Sequence, residues 1–246
     1  MPARVPAKLL AAAATLAAAG AFTPGCSDSS PTAPAQPTPS VAQVVFADDA
    51  ARTHEALIVG LVQQTAAAAN QSIPIGSVLF TVASDSQRTI PGWGLGGYTL
   101  SDSEIEIVLD PQRSDLASLI AERLPLVTAH ELHHVVRWRG PGPYVTLLEA
   151  LVFEGLADHF ALDLVGGPVP PWIDAFPESQ DALYLARAEP ELDAAFDFGR
   201  WFFGFGDLPR WTGYTLGFRL VGDYIAAHPG SSAASLVHAR ADVFRP

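Results

Sequence analysis

Lysine and cysteine are nearly missing from this sequence: Lys8 and Cys26 are the sole examples of each in 246 residues. With 14 basic residues against 26 acidic ones, the formal net charge is -12. No basic stripe can then neutralise a phosphate backbone, so nucleic acid is excluded as a partner class. Anionic membrane surfaces are disfavoured on the same ground. One cysteine makes no internal disulfide, so a fold must rest on packing. Long apolar runs are lacking too: Leu9 to Phe22 is short and mostly alanine, too weak for a permanent transmembrane helix. What is plentiful is apolar material, 49% of residues against 16% charged, enough for a globular domain with a substantial core.

Arg4 and Lys8, the apolar run and then Thr23-Pro24-Gly25-Cys26 read as an export signal over residues 1–26. Cleavage before Cys26 and acylation of its thiol make a lipoprotein, although Thr23 stands where such sites usually carry leucine. The alternative is ordinary cleavage near Ala19-Gly20-Ala21, leaving Cys26 as a free thiol. The lipoprotein is the favoured reading, because an unpaired cysteine in an exported chain otherwise lacks a purpose. The expected location is therefore the cell envelope, or else the periplasm or exterior, with a membrane touched only through a lipid on Cys26. Residues 27–40, "SDSSPTAPAQPTPS", hold no large apolar side chain and read as a solvated tether. Residues 41–246 read as one domain.

Within that domain, Val41 to Ala69 has helical character, and "SVLFTVAS" (Ser77 to Ser84) is a β-branched strand. "GWGLGGY" (Gly92 to Tyr98) is a glycine-rich loop or irregular strand, and "EIEIVLD" (Glu104 to Asp110) alternates as a half-buried strand. A helix is expected from Ser114, as N-cap, to Arg123, and a new one from Pro125 to the Gly140-Pro141-Gly142-Pro143 break. Further helices are expected over Val145 to Val165, Ala182 to Phe203, Tyr214 to His228 and Ser232 to Arg240. The order is a small sheet followed by helices, an α+β arrangement.

Chemistry concentrates in "TAHELHHVVR", Thr128 to Arg137. At about 100° per residue, His134 lies about 40° from His130, Glu131 about 100°, and His133 about 60° the other way. A metal on His130 and His134 keeps Glu131 within reach of a bound water; a metal on His130 and His133 turns it away. Geometry selects the first pairing, H-E-x-x-H. A catalytic zinc site needs a third protein ligand. Glu154 supplies one, projecting from an apolar helical stripe of Leu147, Ala150, Leu151 and Ala161, where an unpartnered carboxylate is costly. Asp158, one turn on, is placed to accept the outer N–H of a ligand histidine, taken here as His130. Gly155 lets two helices approach. Glu149 is a rival third ligand, about 140° around the helix. His54, His159, His228 and His238 read as structural or exposed.

These residues resemble the gluzincin metallopeptidases, the thermolysin-like group in which H-E-x-x-H is followed by a glutamate on a later helix. More closely, "TAHELHHVVR", "TLLEALVFEGLADHFA" and "TGYTLGFRLVGDYIAAHP" are similar to a bacterial family of predicted zinc-dependent proteases, over roughly Ile75 to Val243. The resemblance implies a compact, zincin-like metallopeptidase fold, Zn2+ on His130, His134 and Glu154, and Glu131 as catalytic base. No histidine here matches thermolysin's second catalytic histidine.

The function expected is zinc-assisted hydrolysis of a peptide or protein substrate. Tyr214 either stabilises the oxyanion, with Arg219 or His238 as weaker alternatives, or is a core tyrosine whose hydroxyl finds a backbone partner. The competing expectation is a non-catalytic exported protein that uses the cluster as a structural or zinc-binding site. An edge at "EIEIVLD" is expected to pair with an extended peptide, and "GWGLGGY" either lines the cleft or is a turn. "RWFFGFGDLPRW", Arg200 to Trp211, is either core or an apolar substrate pocket.

Overall fold

β-branched and aromatic residues build the sheet. Its strands are β1 (Ala42–Phe46), β2 (Val78–Ser84), β3 (Leu95–Thr99) and β4 (Glu104–Leu109), in the order β1-β2-β4-β3. The computed structural model describes residues 41–246, so the export signal, Cys26 and the tether lie outside the described residues. β1, β2 and β4 run parallel, and β3 is antiparallel to β4. Parallel neighbours need a crossover, and α1 (Glu55–Ala69) provides it between β1 and β2.

The helices that follow are α2 (Leu116–Arg139), α3 (Leu147–Val165), α4 (Asp181–Ala188), α5 (Phe198–Phe203) and α6 (Thr212–Ala227). α2 lies between α1, α3 and the β3–β4 half of the sheet, and α6 packs on α3. The architecture is α+β. Among the described residues no helix is long and apolar enough to cross a membrane. α3 starts at a capping box: Thr146 accepts from the Glu149 N–H, and the Glu149 carboxylate accepts from Thr146 N at 3.0 Å and Val145 N at 2.8 Å. Glu149 is thereby committed to the helix start, away from the metal-ligand candidates. α3 and α6 touch through backbone. A Cβ on Gly155 would lie 2.2 Å from the Gly217 carbonyl oxygen, and one on Gly217 would lie 2.2 Å from that of Leu151.

Local pattern misplaces several boundaries. Residues 42–46 form a strand rather than helix, because "AQVVF" pairs along β2 and buries alternate side chains. Pro125 does not begin a new helix. α2 runs through it as one element, starting after Asp115 rather than Ser114, and Ala121, whose carbonyl loses its partner N–H, is exposed to water. The stretch 182–203 is broken by 3-10 turns around Pro190, and residues 232–240 are turns. β4 is an inner strand with β2 on one side and β3 on the other, so the sheet edge beside the helices is β3, the glycine-rich segment.

Candidate metal centre

α2 buries Thr128, His130, Glu131, His133, His134 and Arg137 within ten residues, a costly concentration of polar groups unless each has a purpose. Two of them serve the fold. His133 packs on Phe160 at 5.3 Å with Nε2 facing the Ala233 carbonyl, and burial holds its pKa well below the ordinary value, so it stays neutral. The Arg137 guanidinium donates to the carbonyls of Val237 and Ala239.

His130, Glu131 and His134 turn the other way, into a cavity of about 820 Å³. Glu154 of α3 faces the same space. Ligand atoms of His130, His134 and Glu154 all lie within 4.8 Å of one another. Nitrogen and oxygen ligands on tetrahedral zinc, at about 2.1 Å, stand about 3.4 Å apart. The Nε2 atoms of His130 and His134 are 3.2 and 3.3 Å from Glu154 Oε2. Two imidazoles and a carboxylate at this spacing suit Zn2+, and a site with three protein ligands would keep a fourth position for water or substrate.

Neighbours orient the trio. His130 Nδ1 donates to Asp158 Oδ1 at 2.9 Å, leaving Nε2 to face Glu154. Asp158 Oδ1 also accepts from Trp172 Nε1 at 3.0 Å. His134 is steered differently: its ring stacks on Phe153 at 4.1 Å, and its Nδ1 has no hydrogen-bond partner. Glu131 stands outside the trio. Its Oε2 accepts from Thr99 Oγ1 at 2.8 Å, so the β3 edge holds it in place. A Cβ on Gly97 would fall 2.6 Å from Glu131 Oε1, which is why that strand position has no side chain.

The Trp172 indole makes a bond that phenylalanine cannot replace, in a setting where Asp158 is 1% exposed. Trp172→Phe is expected to weaken zinc binding by about tenfold, read by competition with a chromogenic chelator. An unchanged affinity would show that Asp158 holds His130 without this support.

Burial works to lower the His130 pKa, but the charge of Asp158 and bonds to Asp158 and Glu154 outweigh it and hold it well above the ordinary value. Burial works to raise Glu154, but His134 and His130 hold it down to about 2. Zinc requires a neutral imidazole and an ionised carboxylate. In the metal-free protein a proton must leave His130 before zinc binds, whereas Glu154 is ionised throughout. Zinc affinity is therefore expected to fall as pH drops below the raised His130 pKa, with the His130 proton released on binding. Calorimetry in buffers of different ionisation enthalpy measures that release.

Tyr214 lines the cavity, and burial followed by the Glu154 and Asp158 charges raises its pKa, keeping the hydroxyl a donor. Arg219 and His238 do not line it. Arg219 is held by Asp181, Asp174 and the Phe176 carbonyl, while His238 packs at Gly140. Sequence reasoning missed Tyr144, which also lines the cavity and whose pKa burial likewise raises, with Glu154 next. The available signal was the shortness of the linker between α2 and α3, which keeps any side chain on it near both ligand helices. Gly96, Gly97 and Tyr98 line the cavity as part of β3. Residues 200–211 divide: Trp201 and Phe202 are core, whereas Phe203, Phe205 and Trp211 face the cavity.

Residues 56–245 match a family described as a predicted Zn-dependent protease. An uncharacterized protein of Bacillus subtilis (strain 168), YjaZ, is 34% identical over 115 residues, which are 44% of this chain and 44% of that protein. No solved structure matches this chain.

Proposed function

This chain belongs to the family of predicted Zn-dependent proteases, and from that premise we propose that it hydrolyses peptide bonds at the His130, His134 and Glu154 cluster. The observation that carries the reading is Glu131, a carboxylate outside the ligand trio that faces the same cavity and is held there by Thr99. A structural zinc site has no use for such a group.

His130, His134 and Glu154 would hold the ion, which supplies a Lewis acid that acidifies a water and polarises a carbonyl. Glu131 takes the proton of that water on its carboxylate and returns it to the leaving amine. Tyr214 and Tyr144 present protonated hydroxyls with no partner among the described residues, and these donate to the oxyanion. The substrate lies extended along β3, the edge strand next to Glu131. The reading includes export: Arg4, Lys8 and the apolar run before Cys26 favour an envelope protein anchored through a lipid on that cysteine.

Purified protein is expected to carry one zinc per chain and to cleave a casein-type substrate. Chelation should abolish cleavage, and added zinc should restore it. Zinc bound at this site without cleavage of any peptide would leave the cluster a structural one.

A further inference from the structure

Trp211 is the one non-glycine residue with positive φ among the described residues, at 69°, a conformation that is strained for a bulky aromatic side chain. Such strain persists where surrounding structure imposes it, and it concentrates at functional sites. Here its N–H donates to the Phe202 carbonyl at 3.1 Å, and its own carbonyl accepts from Thr215 N at 3.0 Å. The preceding loop is pinned as well. Arg200 binds Asp207 at 2.7 Å and Glu191 at 2.8 Å, and Gly204 lies so close to Arg210 that a Cβ there would be 2.6 Å from the Arg210 nitrogen.

This rigid segment carries two aromatic rings into solvent, Phe203 at 44% and Phe205 at 69% exposure, and both line the metal cavity. Exposed aromatic side chains fixed beside a reaction centre mark a binding surface. Beside them stands an unusual cation. Among the described arginines, Arg210 alone makes neither a hydrogen bond nor an ion pair through its guanidinium, which rests only over the Trp211 ring at 5.7 Å. In a chain of net charge -12, acidic partners are abundant, yet this one has none.

We propose that Phe203, Phe205, Arg210 and Trp211 form a specificity subsite for a peptide carrying an aromatic residue next to a carboxylate. The proposal rests on the peptidase reading for the catalytic use of the cavity, and it adds the substrate class. The aromatic side chain lies on the Phe203 and Phe205 rings. The carboxylate meets Arg210, whose fork of donors suits it. That carboxylate comes either from an acidic side chain or from the peptide's own C-terminus, and the experiment separates the two. The pinned loop means that little ordering is lost on binding.

The test measures binding and cleavage separately. Fluorescently labelled peptides are titrated by anisotropy into zinc-loaded full chain carrying Glu131→Gln, and the same peptides are offered to the wild type for cleavage. The set comprises end-blocked peptides with Phe-Glu, Phe-Lys or Ala-Glu at the centre, and one ending in Phe with a free carboxylate. Phe-Glu or the free-ended peptide is expected to bind about fivefold tighter than Phe-Lys, the favoured one identifying the source of the carboxylate. Ala-Glu is expected to bind about tenfold more weakly than Phe-Glu. Arg210→Glu should invert the Glu over Lys preference, and Phe205→Ala should erase the advantage of Phe over Ala. Equal binding of all peptides, or a preference unmoved by Arg210→Glu, overturns the subsite even where wild type cleaves them all. Selective binding with no cleavage by the wild type supports the subsite and sinks the peptidase reading instead.

Discussion

Replacing Glu131 with glutamine is expected to lower kcat for peptide hydrolysis by about a thousandfold while leaving zinc content unchanged, since proton transfer by a positioned base accounts for about 10² to 10⁴ in rate. The expectation follows from separation of duties in the cavity. His130, His134 and Glu154 form the compact trio, and Glu131 is absent from it. Glutamine keeps the size of the side chain and an oxygen to accept the Thr99 hydroxyl, which now bonds Glu131 Oε2 at 2.8 Å. What it loses is the ability to carry a proton from water to the leaving amine. Metal analysis beside steady-state kinetics decides the matter. A rate within about tenfold of wild type, with zinc intact, would remove Glu131 from the base role. Loss of zinc together with rate would mean instead that the carboxylate supports the metal.

Gly155→Ala should destabilise the protein, against the ordinary rule for helices. In an exposed helix interior, alanine is better than glycine by about 1 kcal/mol. Here the added Cβ would meet the Gly217 carbonyl oxygen at 2.2 Å, a backbone atom inside another helix that cannot swing aside. α3 and α6 must separate, and overpacking of this kind costs about 1–3 kcal/mol or more. The clash outweighs the propensity gain, for a net loss of about 2 kcal/mol and a fall in Tm of about 4–8 °C for a domain of this size. Because residue 155 adjoins Glu154, the same shift displaces that candidate ligand, so zinc affinity should fall with stability. A thermal melt of metal-free protein isolates the packing effect. A Tm equal to or above that of wild type would show that the helices accommodate the methyl group.

Both predictions depend on features that differ in how far the chain reveals them. The relation of His130, Glu131 and His134 is a matter of helical period, and any helix through Thr128 to Arg137 places them so. Glu154 and Asp158 follow from the same period on a second helix, helped by the cost of burying acids on an apolar stripe. Sequence pattern also anticipated β2, β4 and the Gly140 to Pro143 break, because alternation and helix-stopping residues are local properties. The same local reading failed at Val41 to Phe46, where pairing with β2 made a strand, and at Pro125, where the freed carbonyl could reach water and α2 continued.

What tertiary structure alone decided are the meetings between distant segments. β3 rather than β4 became the sheet edge next to Glu131, since strand order is set by long-range pairing that no short window records. Glu149 was withdrawn into a helix cap, and Tyr144 was brought to the cavity by a linker whose path depends on both helices it joins. Trp172 became the second donor to Asp158, and Arg210 was left without a carboxylate or carbonyl partner while the other described arginines found one or the other. Side-chain partnership is a property of three-dimensional packing. The chain by itself determined which groups have the chemistry to hold a metal and move a proton, because helical spacing carries that information along a few turns. Which groups surround them, and which side chains line the cavity they share, was decided only when helices and sheet closed on one another, because those contacts join residues far apart in sequence.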